Sequence, residues 1–337
     1  MEFFKKQTKI DFLGGRRVPM ILSAFLVAAT IVSLMVNGLN FGLDFTGGTL
    51  VEIQYAEAVE ITQVRQNLEA SGIGDAVVQH FGTTRDVLVR LPVTEGKDSV
   101  ALSNQVIEAL RRAAGERLVS AEADKTQLCM MEGGTEPEPC RLQVQRVEFV
   151  GPQIGGELAY NGGLALLYTL IAILIYVMFR FEWRFSVGSV IATAHDVLLT
   201  FGFFSLTQIE FSLSVLAAIL AVLGYSLNDT IVIFDRIREN FRKMRKSNVM
   251  EILNTSINQT ISRTVITSGT TLMVLLSLFF FGGEIIHGFS VALIVGIIVG
   301  TYSSIYIATP AVLALGVSRE DMLPVKKEGA EQQDLNP

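Results

Sequence analysis

Apolar positions in this chain gather into runs much longer than a buried strand or one helix face requires, and between the first run and the second the pattern changes character. A helix needs about 20 apolar residues to cross a bilayer. On that measure the runs at residues 18–38, 160–179, 186–206, 211–233, 264–283 and 288–314 predict six transmembrane helices. The stretch 40–157 instead alternates and turns like a soluble domain. Within it GTLVEIQY reads as a strand, ITQVRQNLEASG as a helix closed by Gly72, and AVVQHFG and DVLVRLP as two further strands. SVALSNQVIEALRRAAG then reads as a longer amphipathic helix and RLQVQRVEFVG as a last strand. This β-α-β-β-α-β order is the ferredoxin-like split βαβ motif, a scaffold with many functions. Residues 119–140, rich in Gly, Pro and Glu, are expected to form a solvent loop. The predicted fold class is an α-helical membrane protein of six transmembrane helices with an external α+β ferredoxin-like (βαββαβ) domain.

Basic residues orient the helices. Lys5, Lys6, Lys9, Arg16 and Arg17 precede the first, Arg180 and Arg184 follow the second, and Arg236, Arg238, Arg242, Lys243, Arg245 and Lys246 follow the fourth. The short turns TQIE and GGEIIH on the opposite side carry none, so the positive-inside rule places both termini in the cytoplasm. The expected organisation is a cytoplasmic N-terminus at 1–17, the first helix at 18–38, an external (periplasmic) domain at 40–157, a five-helix bundle at 160–314 and a cytoplasmic tail at 315–337. The lead-in KKQTKIDFLGGRR imitates a signal peptide. The apolar run behind it is too long for an h-region and no small-x-small site closes it, so it is expected to stay as an anchor.

Composition adds little beyond this. Half of the residues are hydrophobic and the mean hydropathy is +0.45, as an integral membrane protein requires. The isoelectric point near 5.3 averages over two compartments and gives no reason to expect nucleic acid. Residues 41–157 carry ten basic against eighteen acidic side chains. Cys129 and Cys140, the only cysteines, both fall in that domain, where an oxidising compartment would allow a disulfide; two free thiols are the alternative.

Candidate chemistry lies in the membrane half. In the third helix Ser189, Thr193, Asp196 and Thr200 share one face, and His195 points about 100° away from its neighbour Asp196, so the two need not pair. For His195 a proton relay and a hydrogen bond to a neighbouring helix stand as equal readings. The fourth helix carries Tyr225 and Asp229 at i and i+4, with Gly224 and Asn228 beside them; the fifth carries Arg263, Thr267, Thr270 and Thr271 as a seam. These polar faces are expected to meet in one interior, with Gly296, Gly300 and Ser304 of the sixth helix allowing close packing. Asp229 and Arg263 lie at similar depth around one cytoplasmic loop. Charges in hydrocarbon are expensive, so such a pair points to function, and a carboxylate whose proton affinity depends on a movable guanidinium is a proton carrier. A static structural ion pair, or an Arg263 that snorkels to the interface, is the competing reading. In FGLDFTGGT, Gly47 and Gly48 permit positive φ and Asp44 can cap local donors, which favours a structured turn over a binding site.

No Walker A sequence, no G-x-S-x-G elbow and no metal-like spacing of His80, His195 and His287 occurs, so neither an enzyme, a cofactor nor a metal is expected and an ion gradient is the natural energy source.

FGLDFTGGT, AHDV, GYSLNDTIVIFDRIRENFRK, RTVITSGTT and GTYSSIY resemble the SecF family of bacterial protein-export membrane proteins, within the resistance-nodulation-division superfamily, over nearly the whole chain. The resemblance implies a subunit that works with SecD beside the SecYEG channel, with YajC as a further partner. Such a subunit uses the proton-motive force to complete preprotein export after the SecA ATPase step, in the bacterial inner membrane. It matches Asp229 and Arg263 to the family's functional membrane Asp and Arg, and places His195 and Asp196 in a family motif. The cysteine-bearing insertion departs from the family core. A small-molecule/proton antiporter half of the same superfamily and a non-transporting scaffold are the alternatives, and the choice between H⁺ and Na⁺ stays open.

Overall fold

In the computed structural model, residues 8–92, 99–120 and 126–318 are described. Lys5 and Lys6, counted above for orientation, part of the predicted insertion (121–125) and most of the predicted tail (319–337) lie outside them. The chain begins with α1 (Arg17–Val36), a short α2 (Leu43–Thr46), β1 (Gly48–Tyr55), α3 (Ile61–Ala70), β2 (Val77–Phe81) and β3 (Thr83–Leu91). It continues through α4 (Ser99–Ala113), β4 (Glu116–Ser120), β5 (Leu128–Met131), β6 (Glu138–Pro139) and β7 (Leu142–Val150). The helical half is α5 (Pro152–Arg180), α6 (Trp183–Thr207), α7 (Leu213–Lys243), α8 (Val249–Phe281) and α9 (Gly283–Ser303), with a π-helical stretch (Ser304–Ala308) leading into α10 (Thr309–Ala314).

Six helical spans are long and apolar enough to cross a membrane, the last running from Ile286 to Ala314 through the π-helical stretch. Several helices outrun their apolar cores. α7 continues ten residues past the predicted end at 233, and α8 starts at Val249 rather than 264, so Arg263 sits in mid-helix and not at its mouth. The reasons are polar contacts that hydropathy does not register: in the extension of α7, Glu239 pairs with Lys243 one turn on and Asn240 Nδ2 donates to Ser256 and Gln259 of α8, while Asn248 Oδ1 accepts from Glu251 N at 2.8 Å at the start of α8. The N-terminal extension of α8 holds the chain's leading segment, where Asn254 and Asn258 bond the backbone of Ile10 and Phe12. Leu13 is fully buried there.

The soluble part is built on an antiparallel four-stranded sheet in the order β2-β3-β1-β7. Alternation decides its two faces. Val51 and Ile53 of β1 and Val87 and Val89 of β3 join Val64 and Leu68 of α3 and Val106 and Leu110 of α4 in one core. Leu50 and Leu88 point the other way and pack with Leu43 of α2. The predicted solvent loop at 119–140 is a correction: β4, β5 and β6 form a separate three-stranded sheet. Cys129 and Cys140 are joined by a disulfide across it, and the Glu116 carboxylate accepts from the Arg141 and Leu142 amides. Composition pointed to a loop because the Gly/Pro-rich turn dominates it, whereas short flanking segments pair once a covalent clip and side-chain acceptors hold them.

The FGLDFTGGT segment joins the two halves. Gly47 and Gly48 take φ of 68° and 133°, and a side chain at Gly48 would collide with the Leu91 carbonyl oxygen. Asp44 does not cap local donors as expected: its carboxylate accepts from the Leu213 amide at 2.7 Å, at the N-terminus of α7. Phe41 forms a parallel bridge with Phe211, Gly42 N donates to the Phe211 carbonyl at 2.9 Å, and Arg90 of β3 pairs with Glu210 at 2.5 Å. Phe41, Phe45 and Phe211 stack edge-on and tilted around this joint.

Candidate functional site

The polar interior of the bundle is assembled by α6, α7, α8 and α9. On α6 the stripe Ser189, Thr193, Asp196 and Thr200 is wholly buried, as a polar face in a membrane helix must be. Thr193 and Thr200 return their hydroxyls to carbonyls four residues earlier, which leaves Asp196 to reach across. Its Oδ2 accepts from Ser226 of α7 at 2.5 Å and from Ser303 of α9 at 2.9 Å. His195 and Asp196 do come together despite their angular offset, Nδ1 to Oδ1 at 3.2 Å, while the His195 ring lies against Tyr302 and its buried Nε2 has no hydrogen-bond partner among the described residues. One carboxylate therefore ties three helices.

Close approach makes this geometry available. A side chain at Gly300 would meet Ser226 Cβ at 2.9 Å, and one at Gly296 would meet Val222 Cβ at 3.0 Å, so α9 lies almost against the α7 backbone. Directly after Gly300, the helix carries Ser303 and Ser304 and passes into the π-helical stretch, where Ser304 bonds Thr230 at 3.0 Å.

Asp229 is placed differently. It is 3 % exposed, and a long contact from Ser268 Oγ, 3.4 Å, is the hydrogen bond to its carboxylate. Ser268 also bonds Thr301 at 2.8 Å. Among the described residues no ion pair joins Asp229 to Arg263; Arg263 projects from the exposed side of α8. The seam expected inside the bundle is likewise displaced outward. Thr270 is exposed and bonds its own helix, Thr271 accepts from the Tyr225 hydroxyl at 3.3 Å, and Asn228 with Gly224 faces the open side of α7. The buried face of α8 runs instead through Ser256, Thr260, Thr264 and Ser268. The expectation failed because two polar rows lie on that helix about 100° apart, and the row bearing the charge attracts the eye.

Sequence reasoning also missed Ser226, Ser268, Thr301 and Ser303. A signal existed, since Ser226 precedes Asp229 by three residues and Ser303 lies in GTYSSIY. Hydroxyls that can back-bond to their own helix give no indication of which ones reach a neighbour. The glycine pair Gly47 and Gly48 and Asp44 lie at the joint already described, far along the chain from this interior.

Known proteins match the chain along nearly its whole length. Residues 134–318 match the family described as protein export membrane protein SecD/SecF, C-terminal, and residues 32–59 match the SecD/SecF GG motif. The protein translocase subunit SecF of Vibrio alginolyticus is 47 % identical over 336 residues, 99 % of each chain. That of Escherichia coli O157:H7 is 44 % identical over 330 residues, 97 % of this chain and 95 % of the relative. The crystal structure of SecDF, a translocon-associated membrane protein from Thermus thermophilus, superposes with a TM-score of 0.76 at 38 % identity, covering 93 % of this chain and 39 % of that one. SecDF in a super-membrane-facing form gives 0.64 over the same shares. The chain thus spans well under half of the solved SecDF chain and almost all of its SecF relatives, and it belongs to the SecF family of protein translocase subunits.

Proposed function

We propose that this chain is a proton-coupled subunit of the Sec translocase, in which Asp229 takes up and releases the proton and Arg263 regulates it. The observation that carries the reading is the weak hold on Asp229: among the described residues this buried membrane carboxylate has one long hydroxyl contact and no ion pair, while the Arg263 guanidinium is held on an open helix face. A charge bound so weakly is free to respond to a moving partner, whereas a static ion pair would already be closed. Asp196 is the opposite case. Its bonds to Ser226, Ser303 and His195 suit a tether of the bundle's polar core better than a relay.

The open row of Ala221, Gly224, Asn228, Arg263, Thr267 and Thr270 supports an obligate partner helix bundle, a SecD chain, as the wider SecDF match suggests. We further infer that the β2-β3-β1-β7 sheet with its two helices is a ferredoxin-like external domain in contact with preprotein, that both termini are cytoplasmic, and that the assembly works beside SecYEG with YajC. Reconstituted vesicles carrying the SecD partner, the channel and an imposed proton gradient test the central claim. Gradient-stimulated export should disappear with Asp229→Asn and with Arg263→Met while complex formation persists; undiminished stimulation with Asp229→Asn would overturn it. Replacing the proton gradient by a sodium gradient identifies the coupling ion.

A further inference from the structure

A second polar site lies away from the Asp229 interior, where α5 ends beside the last turns of α7. A cleft of about 320 Å³ is lined by Arg180, Asp235, Arg238, Glu239, Arg242 and Lys243. Its ion pairs are uneven. Arg180 pairs with Asp235 at 2.9 Å, and Glu239 is shared between Lys243 at 2.5 Å and Arg236 at 2.7 Å, which occupies both carboxylates. Arg238 and Arg242, one helical turn apart on the same face of α7, have no carboxylate partner among the described residues. Two guanidinium forks opening into one cleft form a receptor for phosphate oxygens.

The surroundings identify the source of that phosphate. The cleft begins where the apolar run of α7 stops, at the level of headgroups. On α5, in the turn that leads to Arg180, Phe179 is 90 % exposed and Tyr176 55 % exposed, an apolar surface suited to acyl chains rather than water. Trp183, three residues beyond Arg180, is half exposed with the Arg184 guanidinium over its ring, 5.3 Å to the centroid, as an interfacial anchor would be. We propose that this cleft binds the headgroup of an anionic phospholipid, its phosphate held by Arg238 and Arg242 and its chains laid along α5. A zwitterionic headgroup brings its own cation, which the excess positive charge of the cleft disfavours. The proposal is independent of the Asp229 reading.

Trp183 is the only tryptophan in the chain, which makes it a local reporter. The full chain is placed in phosphatidylcholine nanodiscs, and quenching by chain-brominated phosphatidylglycerol is compared with quenching by brominated phosphatidylcholine at equal mole fraction. The anionic lipid should occupy the site roughly 25-fold more readily, about fivefold for each unpaired guanidinium. Arg238→Gln with Arg242→Gln should erase the preference and Lys246→Gln should keep it. Equal quenching by both lipids in the native chain overturns the proposal without any variant, as does a preference that survives the double substitution. Loss of the preference on adding inorganic phosphate at constant ionic strength would make free phosphate the ligand and also overturn it.

Discussion

Two carboxylates, Asp196 and Asp229, stand in the same membrane interior, and their neighbours give them different work. Asp196 bridges α6 to α7 and α9 through hydroxyls. Interhelical hydrogen bonds in membranes contribute about 0.6 kcal/mol on average and up to about 1.7 each, so Asp196→Ala should cost roughly 1–3 kcal/mol, read as a lower unfolding midpoint in mixed micelles. Asp229→Asn should leave that midpoint almost unchanged, because one 3.4 Å contact is all it loses. Outside the membrane, burial and then the Glu116 charge push the Tyr55 phenol up from 10.0 to about 12. The folded state therefore prefers the neutral phenol. The resulting stability is fully present below pH 10 and is lost as the pH rises towards 12. Tyr55→Phe should flatten the alkaline limb of the stability profile, read as the unfolding midpoint of the chain between about pH 9 and 12. The residues themselves were visible in the sequence. Their bond partners were not, since a hydroxyl in a helix can satisfy itself locally or reach across, and composition is the same in either case.

Helix against helix, small residues set the spacing. Gly300 lies against Ser226, so Gly300→Val should push α9 off α7 by overpacking, cost about 1–3 kcal/mol and lengthen both hydroxyl bonds to Asp196. Disulfide trapping between Cys substituted at Val222 and at Gly296 should be efficient in the native background and fall in the variant. The alternating strands and the amphipathic α3 and α4 were legible because one buried face imposes period 2 on a strand and period 3.6 on a helix. The end of α7 and the start of α8 were not, because polar helix beyond the apolar run is held by Asn240 reaching Ser256 and Gln259, by the Asn248 cap and by the leading segment at Ile10 and Phe12. The β4-β5-β6 sheet escaped notice for a related reason: strands of two to five residues carry too few positions for a period to emerge.

Across the whole molecule, the joint between sheet and bundle is narrow and specific. β1 leaves α2 directly, β7 runs into α5, and Asp44 and the Arg90–Glu210 pair fasten this edge to the start of α7. An acceptor at a helix N-terminus contributes on the order of 1 kcal/mol, so Asp44→Ala should loosen the joint without unfolding either half. Hydrogen exchange at the Leu213 amide should speed up by roughly fivefold, with the sheet core around Val51 and Val89 unaffected. Movement of the soluble part relative to α7 would thereby reach the helix that carries Asp229, which links the joint to the proposed proton site. Span number, the order of the long strands and helices along the chain and the identity of the charged residues followed from the sequence, because burial and lipid exposure impose periodicities and lengths that need no knowledge of neighbours. Which hydroxyl meets which carboxylate, that Asp44 serves a helix 169 positions away, and that Arg263 faces outward depended on packing. Those contacts depend on the rotation of each helix about its axis, and that angle is selected only when all the helices close around one another.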